Sequence, residues 1–432
     1  MIMASELTQP VTNKWKTKRL KFCLQSPLQY GANEPGESSD PEEPRFIRIT
    51  DLAENGKLRA DTFRSLEYEK AKDFLLEDGD ILLARSGATV GKTFMYKNEW
   101  GVSCYAGYLI RARLDKTILS PSYASYFLSS RVYWEWVRSI YIQATIQNVS
   151  AEKYANLDVP IPPIPEQQSI ANFLDKKTKQ IDDLIEQKEK LLALLTEKRI
   201  AIITQAVTKG LDPKAKMKDS GVEWLGEVPE HWDLRRLRFL AYINPVKSEL
   251  KEPDDVLVSF VPMEAVGEYG GLTLETEKEI SEVYTGYTYF RNNDVVVAKI
   301  TPCFENGKGA LASDLKNGIA FGTTELHVLR GELLESRYLF YLSICDFFRK
   351  TGEAWMYGAG GQKRVPEEFL KDLIVPMPPP REQKEIGEWL ETRIESFHAS
   401  QNAIETSIEK LKEYRDALIT SAITGQIDVR NT

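Results

Sequence analysis

The sequence predicts an α/β (α+β) chain: two globular domains separated by two long antiparallel coiled-coil helices, with an internal pseudo-two-fold repeat. Three observations predict it. The chain repeats itself at an offset of half its 432 residues. Each copy begins with segments rich in β-branched and aromatic residues, the composition of strands. Each copy then ends in a stretch where proline and glycine nearly vanish and apolar residues fall on a heptad.

The repeat is plainest at the end of each half. Residues 157–213, opening LDVPIPPIPEQQSIANFL, and 373–429, opening LIVPMPPPREQKEIGEWL, align without a gap at a constant offset of 216 (373 less 157). Shared positions include Pro160/Pro376, Glu166/Glu382, Gln167/Gln383, Leu174/Leu390, Arg199/Arg415 and Thr204/Thr420. A second matched pair opens the halves, WKTKRLKF from Trp15 and WDLRRLRF from Trp232. Between them the likeness fades to an outline, in which Asp80, Ala84 and Gly91-Lys92 correspond to Asp294, Ala298 and Gly307-Lys308. One frame is used twice, with something different mounted on each copy.

The first domain spans residues 1–156. Its segment ILLARSGATVGKTFMY (81–96) imitates a phosphate-binding loop. Such a loop needs four residues between its first glycine and the Gly-Lys pair, and a helix after it whose N-terminus faces the anion. Gly87 and Gly91 are separated by three residues, Ser86 stands where the glycine belongs, and Thr93-Phe94-Met95 reads as a strand. The Gly-Lys recurs in VVVAKITPCFENGKGALA, where the phosphate pattern is absent. Strand–turn–strand is the reading, and nucleotide hydrolysis at Lys92 is the disfavoured alternative. The tryptophans of RVYWEWVR (131–138) read as core, and the acidic EPGESSDPEEP (34–44) as a mobile loop.

A central scaffold helix follows over 157–210, starting near Pro165 because proline fits a helix start and breaks its interior. Its seam runs Leu174, Ile181, Ile185, Leu192, Leu195, Ile202. Gly210 and Pro213 stop it. Residues 211–372 comprise a linker and the second domain, with Trp224 and the Pro-His-Trp turn docking on that domain. The distal helix (373–432) starts near Pro380, with a seam of Leu390, Ile394, Phe397, Ile404, Ile408, Leu411 and Leu418. Each helix is about 40 residues, hence about 60 Å. A stripe of that length needs a partner, and the simplest is the other copy, running antiparallel so that the domains are held apart.

The composition is 42% hydrophobic and 28% charged, that of a globular protein. No apolar run approaches the ~20 residues that span a bilayer, and the first residues lack a signal-peptide core, so the expectation is a cytoplasmic protein without membrane contact. The four cysteines and three histidines are scattered, which argues against a disulfide framework or a metal site. The net charge of −8 leaves nucleic-acid binding to local potential.

The WLGEVPEHW–LRRLRF segment, both PIPP/PMPP–EQ helix starts and both helix ends, KRIAIITQAVTKGLD and YRDALITSAITGQID, carry a family likeness over essentially the whole chain. The chain resembles the specificity subunit of type I restriction–modification systems. The resemblance implies two target-recognition domains, each reading half of a split, asymmetric sequence in double-stranded DNA. It implies that the paired helices set the spacer and dock two modification subunits, which hold S-adenosylmethionine and methylate adenine, and that restriction/motor subunits join them. No cofactor is implied for this chain, and no catalysis: the nearest thing to an Asn-Pro-Pro-aromatic methylation motif is Asn244-Pro245-Val246-Lys247. The departure is at residues 1–14, which lack the WLGEVPEH lead-in of the second copy. A coiled-coil adaptor for protein partners and an orphan subunit are the alternatives.

Base edges are read by Arg, Lys, Asn and Gln, and phosphates are held by Lys, Arg and backbone amides. The candidate DNA-binding residues are therefore the polar loop positions Arg85, Ser86, Thr89 and Lys92 with their counterparts Lys299, Thr301, Asn306 and Lys308. The loops before the long helices add Thr145, Gln147 and Asn148 in the first half, and Gln362, Lys363 and Arg364 in the second. The repeated basic segments 14–21 and 235–238 read as structural or partner-facing, with phosphate contact as the alternative, since sequence common to both halves cannot distinguish two half-sites.

Overall fold

The computed structural model describes residues 15–52, 58–87, 89–142, 148–358 and 361–429. The chain divides into two compact units, Met1–Lys188 with Thr406–Thr432, and Glu189–Glu405.

In the first unit a four-stranded antiparallel sheet runs in the order Gln29–Tyr30, Leu109–Ala112, Ile81–Ala84, Thr93–Met95. The second unit repeats that order with Ala241–Ile243, Leu326–Gly331, Val295–Ala298 and Gly309–Leu311. A parallel pair accompanies each sheet, Arg45–Ile47 with Ser103–Tyr105 and Leu257–Val261 with Ile319–Gly322. The central strands read ILLA and VVVA, continuous apolar runs without alternation, because both faces are covered. Ile81 and Leu83 enter one core cluster while Leu82 and Ala84 enter another. Val295 and Val297 part from Val296 and Ala298 in the same way.

Each domain is closed by pairing its first matched segment with the strand that leads into its long helix. Thr17–Arg19 lies antiparallel to Asp158–Pro160, and Asp233–Arg236 to Ile374–Met377. This explains why the basic opening and the proline-rich tail are repeated together. Trp15 donates its indole N–H to Glu166 at 3.1 Å, and Trp232 donates to Glu382 at 3.0 Å. The glutamine beside each glutamate is buried and makes three hydrogen bonds to backbone.

The long helices span Ile164–Lys209 and Pro380–Ile423. Gly210, at φ 75°, ends the first; a side chain there would crowd Glu382 and Trp232. Burial follows the expected seams. Leu174, Ile181 and Ile185 are buried, and Leu192, Leu195 and Ile202 half-buried; Leu390, Ile394 and Ile408 are buried, and Phe397, Ile404, Leu411 and Leu418 half-buried. In the first unit Arg415 pairs with Asp182 at 2.8 Å, while Ile419, Ala422 and Ile423 share a core with Ile170 and Leu174. In the second, Thr196 Oγ1 accepts from Gln401 at 3.2 Å, Arg199 contacts His398 at 3.3 Å, and Ile203 and Val207 share a core with Ile386 and Leu390. In both units the helix segments therefore run in opposite directions.

The helix ends pack on domains as well as on each other. The C-terminal end of each long helix meets the domain that precedes the other. Tyr338 donates its hydroxyl to Val207 O at 2.9 Å and to Pro376 O at 3.2 Å, and Tyr123 donates to Ile423 O and Pro160 O at 3.5 and 3.2 Å. Thr204 and Thr420 each accept a backbone N–H at the start of a domain helix, from Asp346 and Arg131. Trp224 of the linker stacks on Phe347, with ring centroids 5.0 Å apart. Trp134 and Trp136 are half-buried against the first core. No described helix is long and apolar enough to cross a membrane.

Candidate nucleic-acid interface

The segment 81–96 forms a hairpin, with Ile81 opposite Met95, Leu82 opposite Phe94 and Leu83 opposite Thr93. Its turn spends its amides on itself: Val90 N–H donates to Gly87 O, Gly91 N–H to Ala84 O and Lys92 N–H to Thr89 O. Gly91, at φ 83°, has Val137 and Trp134 within 3.0 Å of where a side chain would begin. A strand follows where a phosphate loop needs a helix, so the turn is a piece of sheet framework and not a nucleotide cradle.

The framework brings the loop before each long helix against this hairpin. In the first unit Ser86 and Asn148 form an antiparallel bridge, and Val149 N–H donates to Arg85 O at 2.9 Å. Arg85 N–H donates to Tyr108 O at 3.1 Å, and the Arg85 guanidinium lies over the Tyr30 ring, 4.7 Å from its centroid. In the second unit Ile300 and Arg364 form the same bridge, Val365 N–H donates to Lys299 O at 2.8 Å, and Lys299 N–H donates to Glu325 O at 2.9 Å. Thr301 adds its hydroxyl and its N–H to Lys363 O, at 3.2 and 3.0 Å.

Arg85, Ser86 and Asn148 thus share one strip, and Lys299, Thr301, Lys363 and Arg364 share its counterpart. Gln362 is exposed beside Lys363. Thr89 and Lys92 lie on the return of the first turn. In the equivalent turn Asn306 donates to Glu268 at 3.1 Å, and the Lys308 ammonium donates to Met263 O at 3.2 Å, so both are engaged within their own domain. Thr145 and Gln147 fall outside the described residues.

Two residues of the strips escape a reading of local sequence. Tyr108 and Glu325 occupy the same place, each just before the strand that pairs with the hairpin (Ala84 opposite Leu109, Ala298 opposite Leu326). Tyr108 is exposed. Glu325 accepts from Arg364 Nε at 2.9 Å and from Nη2 at 2.8 Å, and that guanidinium holds its carboxyl below the usual range. Beneath the second strip lies His327, buried, whose burial pushes its pKa down. Its Nε2 bonds Val365 O at 2.9 Å, and Asn244 lies 3.3 Å from its other ring nitrogen. Asn244 also donates to Glu367 at 2.7 Å and accepts from Val328 N–H at 3.0 Å, so the near-match to a methylation motif is a structural asparagine. Among the described residues no group of three or more His, Cys, Asp or Glu side chains could hold a metal ion.

A family model described as "Type I restriction modification DNA specificity domain" matches this chain twice, at residues 33–194 and 229–410. The chain belongs to that family. The two matches are the two copies of the frame, each carrying one strip. Among curated members, the EcoAI specificity subunit of Escherichia coli is 38% identical over 199 residues, covering 45% of this chain and 33% of that protein. The EcoEI specificity subunit of the same species is 32% identical over 241 residues, covering 52% and 40%. These alignments therefore span less than half of either relative. The MjaVIII specificity subunit of Methanocaldococcus jannaschii is 24% identical over 370 residues, covering 83% and 82%. Among solved structures, a chain from a study of complex assembly and conformational transition of the type I R-M system aligns over 97% of this chain, with TM-score 0.72 and 14% identity. The HsdS subunit from Thermoanaerobacter tengcongensis aligns over 97%, with TM-score 0.55 and 14% identity. The fold of the specificity family thus extends along the whole chain.

Proposed function

We propose that this chain is the sequence-specificity subunit of a type I restriction–modification complex. Residues 1–156 and 211–372 are its target-recognition domains, each reading one half of a bipartite, asymmetric site in double-stranded DNA. Residues 157–210 and 373–432 are the scaffold on which two modification subunits assemble, with restriction/motor subunits joining them. Methylation and cleavage belong to those partners. One observation carries the reading: the two strips share a backbone frame and differ in the side chains it presents. Asn148 answers to Arg364, Arg85 to Lys299 and Tyr108 to Glu325. Asparagine and arginine prefer different bases, adenine and guanine, in the major groove. A duplicated frame with unlike readers suits two unlike half-sites. Methylation-sensitive sequencing of DNA from cells expressing the chain with its modification subunit tests it. A split motif with two different halves is expected; random or absent methylation would remove the proposal.

What the halves share suits the partners instead. Phe22 and Phe239 hold the same place in the repeated basic segment, and each is 62% exposed. An aromatic left in water twice, beside Lys21 and Arg238, fits a protein surface that docks twice. Replacing both phenylalanines with alanine is expected to weaken assembly with the modification subunit by tenfold or more, measured by analytical ultracentrifugation, while the chain's melting temperature holds.

A further inference from the structure

The second strip contains an arginine whose free edge has been selected by an acidic neighbour. Arg364 presents Nε and Nη2 to the two oxygens of Glu325, at 2.9 and 2.8 Å, a side-on pairing. That pairing uses one long edge of the guanidinium. It leaves the edge formed by Nη1 and the second N–H of Nη2, which no described residue takes. Those two donors are the pair that meets guanine O6 and N7 end-on in the major groove. The backbone fixes where that edge starts: Arg364 and Tyr357 exchange both N–H···O bonds, at 3.0 and 3.3 Å, and Arg364 bridges Ile300 beside Lys299. The Arg364 side chain remains 42% exposed while Glu325 is more covered, at 25%. The carboxylate is therefore the support, and the guanidinium is the part offered outward. A carboxylate in this position also excludes alternatives: it fixes the guanidinium plane, which a lysine ammonium lacks altogether.

We propose that Arg364 reads a guanine in the half-site of the second domain, and that Glu325 is the positioning residue that aims it. This rests on the DNA-specificity reading above. The first domain carries Asn148 and Tyr108 at these places and so lacks the device.

The test uses the full chain assembled with its modification subunits and duplexes bearing its methylation motif. Guanines of the second half-site are replaced one at a time by 7-deazaguanine, in which a C–H stands in place of the N7 acceptor while O6 and the pairing edge are kept. One replacement is expected to weaken binding roughly tenfold. Arg364→Ala removes that penalty, and Arg364→Lys, which keeps the charge but not the planar fork, shrinks it while retaining binding to random DNA. Glu325→Gln shrinks the penalty in the parent and changes nothing further in the Arg364→Ala background. Unchanged melting temperatures show that the variants fold, and Arg364→Lys separates loss of the fork from loss of charge. The inference is overturned if every 7-deazaguanine penalty survives in Arg364→Ala, or if the second half-site contains no guanine. If the assembled parent shows no sequence preference at all, the specificity reading itself falls, a result distinct from either of these.

Discussion

Asp294→Ala is expected to destabilise the second unit by about 3–5 kcal/mol, the cost of removing one partner from a buried ion pair. The Asp294 side chain is 1% exposed and accepts from Arg330 Nε and Nη2, both at 2.7 Å. It also accepts Arg291 N–H at 2.9 Å. Without the carboxylate, the mostly buried guanidinium loses its two-point partner and keeps Glu249, at 2.6 Å. Asp294→Asn retains one acceptor and costs less. The first unit repeats the device with Asp80, Arg113 and Glu77 at 2.6–3.0 Å, so Asp80→Ala is expected to act similarly there. Chemical denaturation followed by tryptophan fluorescence measures both. A loss under 1 kcal/mol in either variant would show that water already solvates the pair.

Gln383→Leu is expected to cost about 3–5 kcal/mol, because one buried and two part-buried backbone groups lose their partner at about 1–3 kcal/mol each before relaxation. Gln383 accepts Glu335 N–H at 2.7 Å and donates to Leu333 O and Pro378 O at 3.2 and 2.9 Å. Gln167 does the same with Ser120 N–H, Ile118 O and Pro162 O. These amides tie each domain to the first turn of its own long helix. Leucine is of comparable size, so the loss reports mainly hydrogen bonding. Gln383→Glu sharpens the contrast. It keeps the shape but turns a donor into an acceptor facing two carbonyls, and is expected to be at least as damaging at neutral pH. A neutral Gln383→Leu variant would mean that the repeated Glu-Gln is read by a partner and not by the fold.

The long helices were legible because their signal is local. A proline cluster sets the start, a heptad sets the buried face, and Gly210 supplies the left-handed stop. The hairpin at 81–96 was legible for the same reason, since one missing glycine and a β-branched continuation decide against a phosphate loop. What covers the helix ends was not legible. A stripe states that burial is needed, while the tyrosine that donates to Val207 is 131 residues away. The candidate strips were half legible. Polar loop residues announce themselves, but Glu325 is fixed beside Arg364 only by strand pairing 39 residues apart. Lys308 shows the converse: its sequence context matches Lys92, yet its ammonium turns inward to Met263 O. Composition is equally silent on what residues 34–44 touch. Their acidity suggests a mobile loop, and in this loop Ser38 bridges Ser65, Glu43 accepts Tyr68 N–H at 2.7 Å, and Gly36 sits against the Phe46 ring. Long-range pairing of that kind leaves no mark on a short window.

The central claim is that each copy of the frame reads its own half of the DNA site. Exchange of residues 15–156 for the corresponding segment of a relative with a different motif tests it most directly, read out by sequencing adenine methylation genome-wide. One half of the motif is predicted to become that of the relative, with the other half retained. Both halves unchanged, or both altered together, would contradict the claim.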